Sequence, residues 1–161
     1  MALALSDSDV LARVDVILGL TQDEVNDRRT YLGASDFNTI LGGDAARINQ
    51  LWAEKVGLQE PEDLSDILAV QMGTWTEALN IRWLEKQTGL TVTDRQKRFT
   101  HPKHPFIIAR VDGMTILPSG EVACVEAKHV GPFSYDLEAT AARYAPQMAV
   151  QTALPQRRPP G

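Results

Sequence analysis

The sequence predicts an α/β fold with a mixed central sheet flanked by helices. Apolar residues recur at helical spacing through residues 7–88, short β-branched runs follow between residues 106 and 128, and an Ala-rich helical pattern comes last. The 161 residues are enough for one hydrophobic core and argue against a second. We therefore expect a single domain over residues 1–154, followed by a Pro/Arg-rich tail at 155–161.

The front of the chain is helical by pattern. Residues 7–19 place apolar side chains at helical spacing, and Thr21 with Glu24 forms a capping-box pattern that opens a second short helix. Ser35 stands where an N-cap would, so one or two helical turns are expected over 36–41.

Two longer helices follow. Asp44 can cap a helix over 45–56, and the longest pattern covers 67–88 and ends at Gly89. Apolar residues fall on more than one side of this long helix. We therefore expect it to be buried.

The periodicity then changes to that of strands. The runs at 106–111, 114–117 and 122–128 are short and β-branched, and Asp112-Gly113 separates the first two. This pattern predicts a three-stranded meander with a hairpin turn at Asp112-Gly113.

The last helical pattern covers 137–154 and contains Pro146. Because proline lacks the backbone N–H and clashes with the preceding turn, we expect a break there, with a new helix starting at the proline.

Composition limits the chemistry. Cys124 is the single cysteine, which excludes an internal disulfide, an iron–sulfur cluster and a Cys-rich zinc site, so any metal must be held by oxygen donors. No apolar run approaches the roughly 18 residues that span a bilayer. The start lacks the basic and apolar regions of a secretory signal, and we expect a cytoplasmic protein.

The net charge of −5 is unevenly distributed. Residues 1–27, an acidic helical segment, hold six acids against one arginine and so account for all of it. The stretch 94–110 is basic, which is typical of either a nucleic-acid-binding patch or a solvated loop.

Acidic residues and a lysine are expected to converge at the predicted strands. Alternation along 122–128 puts Glu126 and Lys128 on one face about 7 Å apart. Asp112 ends an adjoining strand, and Glu77 lies on an inward row of the long helix. Carboxylates held together repel one another unless a divalent cation lies between them, and oxygen ligands suit Mg²⁺ or Mn²⁺. Such a site can hydrolyse phosphodiesters.

Each feature taken singly has a simpler interpretation. Asp112 can belong to a hairpin turn only, Glu126 and Lys128 can form a solvent-facing ion pair, and Ser35 can be only a cap. Gln147 and its neighbour one turn later would ordinarily be a solvated amide pair. Their order and spacing together favour a shared site.

Asp112 followed by Glu126-x-Lys128 is the acid-xₙ-Glu-x-Lys signature of the PD-(D/E)XK nuclease superfamily. The chain resembles the YqaJ and lambda-exonuclease-like viral recombination nucleases at four places. These are Arg28 to Ser35-Asp36, Met72-Gly-Thr-Trp-Thr-Glu77, Ala109-Arg-Val-Asp112-Gly113 with Val125-Glu126-Ala127-Lys128, and Tyr144-Ala-Pro-Gln147.

The resemblance implies roles for these residues. The implied metal ligands are Asp112, Glu126 and the main-chain carbonyl of Ala127, with Glu77 as an additional acid. Lys128 and Gln147 would position the attacking water. Arg28 and Ser35 would hold the terminal 5′-phosphate.

The resemblance also implies a function. The family members are Mg²⁺-dependent deoxyribonucleases that trim duplex ends from the 5′ terminus for phage-type recombination. The implied partners are double-stranded DNA ends, a single-strand annealing recombinase and further copies of the chain, and the implied location is the bacterial host cytoplasm. The family continues past the Gln147 helix, so we expect a fold shortened at its C-terminal end.

Two alternatives stay open. A non-catalytic DNA-end-binding or protein-interaction remnant would keep the fold without turnover. An acidic interaction module would have its three acids exposed and apart.

Overall fold

The structure, a computed structural model, describes residues 22–130 and 136–154. These residues form five helices and five strands. The helices are α1 (Gln22–Arg29), α2 (Asp36–Gly42), α3 (Ala45–Lys55), α4 (Leu68–Thr88) and α5 (Leu137–Ala153). The strands are β1 (Leu32–Gly33), β2 (Lys97–Thr100), β3 (Ile107–Val111), β4 (Gly113–Ile116) and β5 (Val122–Val125).

The strands form two small sheets with the helices around them. In the first sheet the order is β1-β3-β2, with β1 parallel and β2 antiparallel to β3. The second sheet pairs β4 with β5 in antiparallel register. The first sheet is mixed and helices flank both, which confirms the predicted fold class.

The predicted meander is wrong at its first turn. Only Asp112 separates β3 from β4, and the two strands pair with different partners, so they form one bent strand that passes from the first sheet to the second. The lack of a side chain at Gly113 allows Val92 to pack directly against the backbone there. A Cβ at Gly113 would lie 2.2 Å from Cγ1 of Val92, so only glycine lets the two segments approach this closely.

The second predicted hairpin is confirmed, with Gly120 in the left-handed region at φ 84°. However, β5 ends at Val125, so the predicted strand over 122–128 is too long and Glu126 follows the strand. The strand β2 lies within the basic stretch, which is therefore not a solvated loop throughout.

The helix boundaries agree closely with the pattern. Asp44 caps α3 by accepting hydrogen bonds from two backbone N–H groups, and Gly89 ends α4 at φ 72°. The predicted burial of α4 is wrong: Ile81 is its one buried residue, whereas Trp75 is 59% exposed and Leu79 is 62% exposed. Apolar residues on several sides of a helix do not by themselves show that it is buried. Among the described residues, most side chains of α4 remain at least partly exposed.

The predicted break in the last helix is also wrong, because α5 continues through Pro146. The backbone N–H of Gln147 donates to the side-chain Oδ1 of Asn38 in α2 at 3.0 Å. A partner from a neighbouring helix thus satisfies the backbone beside the proline, which is where a helix containing proline is weakest.

The described core is small and partly polar. Ala34, Ala109 and Leu154 form its apolar cluster, while Gln147 and Gln151 of α5 are buried beside it. None of the helices in residues 22–130 and 136–154 is long and apolar enough to cross a membrane. The predicted helix over 7–19, Thr21 and the tail at 155–161 lie outside the described residues.

Candidate active site

The carboxylate of Glu126 is enclosed by donors. Its side chain is only 8% exposed, and its Oε1 lies 2.5 Å from Nζ of Lys128. Gln147 donates its Nε2 to the same oxygen at 2.5 Å, and Gln151 donates its Nε2 to Oε2 at 2.8 Å. A buried charge with three donors is compensated, so the structure can hold this carboxylate in one place.

The sequence explains how α5 supplies two of these donors. Gln147 and Gln151 are four residues apart and therefore share one helix face. Both are buried, so the alternative of a solvated amide pair is wrong. Lys128 also lies 4.8 Å from the ring centroid of Tyr144, three residues before Gln147 on the same helix.

Asp112 lies at the bend between β3 and β4 and is half-buried. Its Oδ2 accepts the backbone N–H of Ala127 at 2.7 Å. Gln96 donates its Nε2 to Oδ1 of Asp112 at 3.3 Å and to Oε1 of Glu77 at 2.5 Å. One amide therefore bridges two of the predicted acids, from α4 and from the β3–β4 bend.

The acids influence one another electrostatically. Burial raises the pKa of Asp112 to about 6, and repulsion by Glu126 and Glu77 adds to this rise, while the Ala127 N–H and Lys128 oppose it. Burial is the larger cause, and the two smaller contributions show that Glu126 and Glu77 lie near enough to Asp112 to repel its charge. The three predicted acids, distant in the chain, thus share one neighbourhood.

The donors suit a hard divalent cation in type and in charge, because they are carboxylate oxygens in mutual repulsion. Within residues 22–130 and 136–154, however, no three His, Cys, Asp or Glu side chains approach closely enough to form a metal cluster. Instead, Gln96 lies between Glu77 and Asp112, and Lys128 is paired with Glu126.

Gln96 is a site residue that sequence reasoning missed. It is one of two non-glycine residues with positive φ in the described chain, at φ 54°. A left-handed backbone costs a residue other than glycine about 1 kcal/mol or more, so the surrounding structure must hold it. No pattern in the sequence indicates it.

A cleft of about 800 Å³ adjoins this neighbourhood. Arg28 of α1, Glu77 of α4, Gln96 and Arg110 are among its lining residues. The structure thus places the predicted phosphate-binding arginine and one predicted acid on the same cleft. Ser35 is exposed at the start of α2, makes no capping hydrogen bond with its side chain, and is not among the residues lining the cleft.

A second polar group that sequence reasoning missed fixes the wall of this cleft. Asp36 is buried, and its Oδ2 lies 2.7 Å from Nζ of Lys55. The same ammonium donates to the backbone carbonyls of Arg28 and Tyr31, each at 2.8 Å. Lys55 therefore ties α3 to the end of α1, next to Arg28. The sequence did offer one indication of Asp36: it ends the stretch from Arg28 to Asp36 that resembles the family.

The basic stretch at 94–110 is largely paired. Arg95 lies 3.1 Å from Glu85, Lys97 lies 2.6 Å from Asp94, and Arg98 of β2 lies 2.6 Å from Asp27 of α1. The first pair reaches α4, the last joins β2 to α1, and the middle one is local; all three reduce the local excess of positive charge. The stretch is therefore not the continuous basic patch that the sequence left open.

The chain also matches known proteins over most of its length. The model of the YqaJ-like viral recombinase domain matches residues 25–156. The chain belongs to this family. The match covers the elements from α1 to α5 and confirms the resemblance that the four sequence stretches indicate.

Two solved structures have the same fold as this YqaJ-like domain. One is an alkaline exonuclease, LHK-Exo, from Laribacter hongkongensis, with 23% sequence identity, and the other is LHK-Exo in complex with dAMP, with 21% identity. In both cases the TM-score is 0.62, and the match covers 83% of this chain and 68% of the other. No curated protein matches the chain.

Proposed function

We propose that this YqaJ-like domain is a Mg²⁺- or Mn²⁺-dependent nuclease that hydrolyses DNA from duplex ends. The observation that carries the proposal is the buried Glu126 carboxylate, paired with Lys128 and next to the charge-strained Asp112. Family membership and the alkaline exonuclease fold support the same chemistry. If Glu126 and Lys128 formed only a structural ion pair, the nearby carboxylates of Asp112 and Glu77 would have no role in it.

Asp112, Glu126, the carbonyl of Ala127 and, close by, Glu77 would hold the metal. A bound divalent cation supplies a water of lowered pKa and polarises a phosphoryl oxygen. Burial is the main cause of the raised pKa of Asp112, and the smaller contributions from Glu126 and Glu77 place negative charges near it that would also attract a cation.

Lys128 and Gln147 would act on the attacking water and the phosphate. Both contact Oε1 of Glu126, the ammonium at 2.5 Å and the amide at 2.5 Å, so both lie beside this carboxylate. The amine can hold the water and stabilise the negative charge that develops on the phosphate. The amide can orient the same water by hydrogen bonding.

Arg28 would bind the terminal 5′-phosphate, with Ser35 as a second ligand. Arg28 lines the cleft that also reaches Glu77, and Lys55 donates to the backbone carbonyl of Arg28. A charged group that recognises a chain end near the acids would give the enzyme its preference for 5′ ends. Trimming from that end would leave single strands for an annealing recombinase in the bacterial host cytoplasm, and an assembly of several copies would suit continued action on duplex DNA.

One observation favours a second candidate, a DNA-end-binding protein that does not turn over. The described acids are engaged by Gln96, Gln147, Gln151 and Lys128, and do not form an open cluster of three. In a non-catalytic relative, such hydrogen bonds would stabilise the former metal site.

The two candidates differ in one measurement. We expect Mg²⁺-dependent release of nucleotides from a linear duplex with 5′-phosphates, and no release with EDTA. Asp112→Asn and Lys128→Ala should both lose this activity, whereas Lys103→Ala, an exposed lysine outside the site, should retain it. Binding of duplex ends without release in the wild type would support the second candidate. Release that persists in both site variants would refute the assigned residues.

A further inference from the structure

α2 and α5 are joined by an unusual pair of hydrogen bonds. Asn38 of α2 donates its Nδ2 to Oε1 of Gln147 at 3.2 Å, and its Oδ1 accepts the backbone N–H of Gln147 at 3.0 Å. The two residues are 109 positions apart in the chain. Asn38 thus holds both the main chain and the side chain of a single residue of α5.

The contact with Oε1 determines how the Gln147 amide points. A primary amide can rotate by half a turn, which exchanges its oxygen and its NH₂ group. Because Asn38 offers a donor to Oε1, the NH₂ group of Gln147 is directed at Oε1 of Glu126, where it donates at 2.5 Å. In the rotated form two oxygens would face each other at Glu126, which is repulsive.

The contact with the backbone determines where Gln147 lies. Pro146 supplies no backbone donor, so the turn of α5 around it has fewer internal hydrogen bonds than an ordinary helix. The side chain of Asn38 satisfies the next backbone N–H. Asn38 therefore fixes the place of Gln147 along the helix as well as the orientation of its amide.

We infer that Asn38 is a positioning residue for the nuclease site: it acts through Gln147 to hold the Glu126 carboxylate and the Gln147 amide in their working geometry. The inference rests on the proposed function for its kinetic part. Since Asn38 lies one turn after Ser35 on α2, it also connects the predicted phosphate-binding helix with the acids.

A purely structural contact between α2 and α5 makes a different prediction. It would stabilise the fold without selecting one amide orientation, and any side chain of similar size would serve. Asn38→Asp separates the two cases. Aspartate keeps the acceptor for the Gln147 N–H and almost the same volume, but it offers a second acceptor where Oε1 of Gln147 requires a donor.

The kinetic test is a double-variant cycle of Asn38→Ala and Gln147→Ala, with Asn38→Asp as a third variant. We expect Asn38→Ala to lower kcat by about 10-fold with KM changed less than about 2-fold, since removing an outer hydrogen-bond partner commonly costs 10–100-fold. Asn38→Asp should lose at least as much. In the Gln147→Ala background, Asn38→Ala should cost nothing more. Asn49→Asp, the same chemical change at an exposed position of α3 outside the cleft, is the matched control and should match the wild type.

A second measurement does not require turnover. Calorimetric titration with Mn²⁺ should show weaker binding by several-fold in Asn38→Asp and in Gln147→Ala, with no further weakening when both are combined. Additive losses in the two variants, or full kcat and metal affinity in Asn38→Asp, would overturn the inference. A wild type that binds Mn²⁺ with this coupling but cuts no DNA would refute the proposed function and leave the positioning role in place.

Discussion

The two halves of the site are built on opposite electrostatic principles. In the Glu126 half, one buried carboxylate receives an ammonium and two amide donors. In the Asp112 half, a half-buried carboxyl receives a backbone N–H and shares one amide with Glu77, and its pKa is raised to about 6. Both oxygens of Glu126 have donors, whereas Asp112 is a half-buried carboxyl with two other carboxylates near it.

This difference predicts which residues stabilise the fold and which are retained for binding at a cost in stability. Removing one partner of a compensated buried carboxylate leaves the remaining groups without their hydrogen bonds, which lowers the free energy of unfolding. A carboxyl with a raised pKa lowers the free energy of unfolding at neutral pH. This cost is offset when a cation binds beside the carboxylate. The two halves should therefore respond in opposite directions to mutation.

The largest expected effect is at Asp112. Asp112→Asn should lower the rate of DNA hydrolysis by about 1,000-fold or more, because removing a charged group of a catalytic centre commonly has this size of effect. The same variant should increase the free energy of unfolding of the metal-free protein at pH 8, which urea denaturation followed by circular dichroism would measure. A variant that is both inactive and less stable would contradict the proposed difference between the halves.

Removing a donor in the Glu126 half should do the reverse. Gln151 is 1% exposed and donates both to Oε2 of Glu126 and to the carbonyl of Arg110. Gln151→Leu should lower the free energy of unfolding by about 3 kcal/mol, since it leaves a carboxylate oxygen and a carbonyl without this donor. Thr152→Ala, at an exposed neighbouring position on α5, should change it by less than about 0.5 kcal/mol. Equal urea midpoints for the two variants would count against a tightly paired Glu126.

The pH dependence of stability should identify the Asp112 half. Its pKa is raised from 3.8 to about 6, so the folded protein binds this proton more tightly than the unfolded chain does. The resulting stabilisation is present at pH 4 and is lost as the pH rises to 7. We expect the free energy of unfolding to fall by about 1 to 2 kcal/mol over this range, after allowance for solvent screening. Subtracting the profile of Asp112→Asn removes the contribution of the histidines, and a flat difference would contradict the raised pKa.

The smallest expected effect is at Glu77, whose repulsion is a minor cause of the Asp112 shift. Glu77→Gln should move the Asp112 transition to lower pH and stabilise the metal-free protein by about 0.5 kcal/mol. It should also weaken Mn²⁺ binding several-fold, measured by calorimetric titration. Unchanged metal affinity would restrict the site to Asp112 and Glu126.

The sequence predicted that Glu77, Asp112, Glu126 and Lys128 lie in one neighbourhood, and the structure brings them together. Glu126 and Lys128 are two residues apart, so they stay close in space even though β5 ends before them at Val125. Asp112 and Glu77 were predicted as site residues from their order along the chain and from the family resemblance. Helix ends at Asp44 and Gly89 were also predictable, because capping is a local interaction.

The residues that organise the site were not predictable in this way. Asn38, Gln96 and Gln151 are uncharged polar residues, and whether such a side chain is buried depends on which elements pack together. Asp112-Gly113 was misassigned because the same dipeptide serves a hairpin turn or a close approach of two segments. The break expected at Pro146 is absent, and the N–H next to the proline is bonded to a helix more than 100 residues away in the chain, which no local pattern reveals.

The exposed side of α4 determines which optical signals the protein offers. All three tryptophans lie at the surface, with Trp52 and Trp75 each 59% exposed and Trp83 58% exposed. Their indole rings already contact water in the native state, so the intrinsic emission spectrum should shift little when the chain unfolds. A blue shift on mixing with DNA or with another protein would therefore report that the surface of α3 or α4 has been covered.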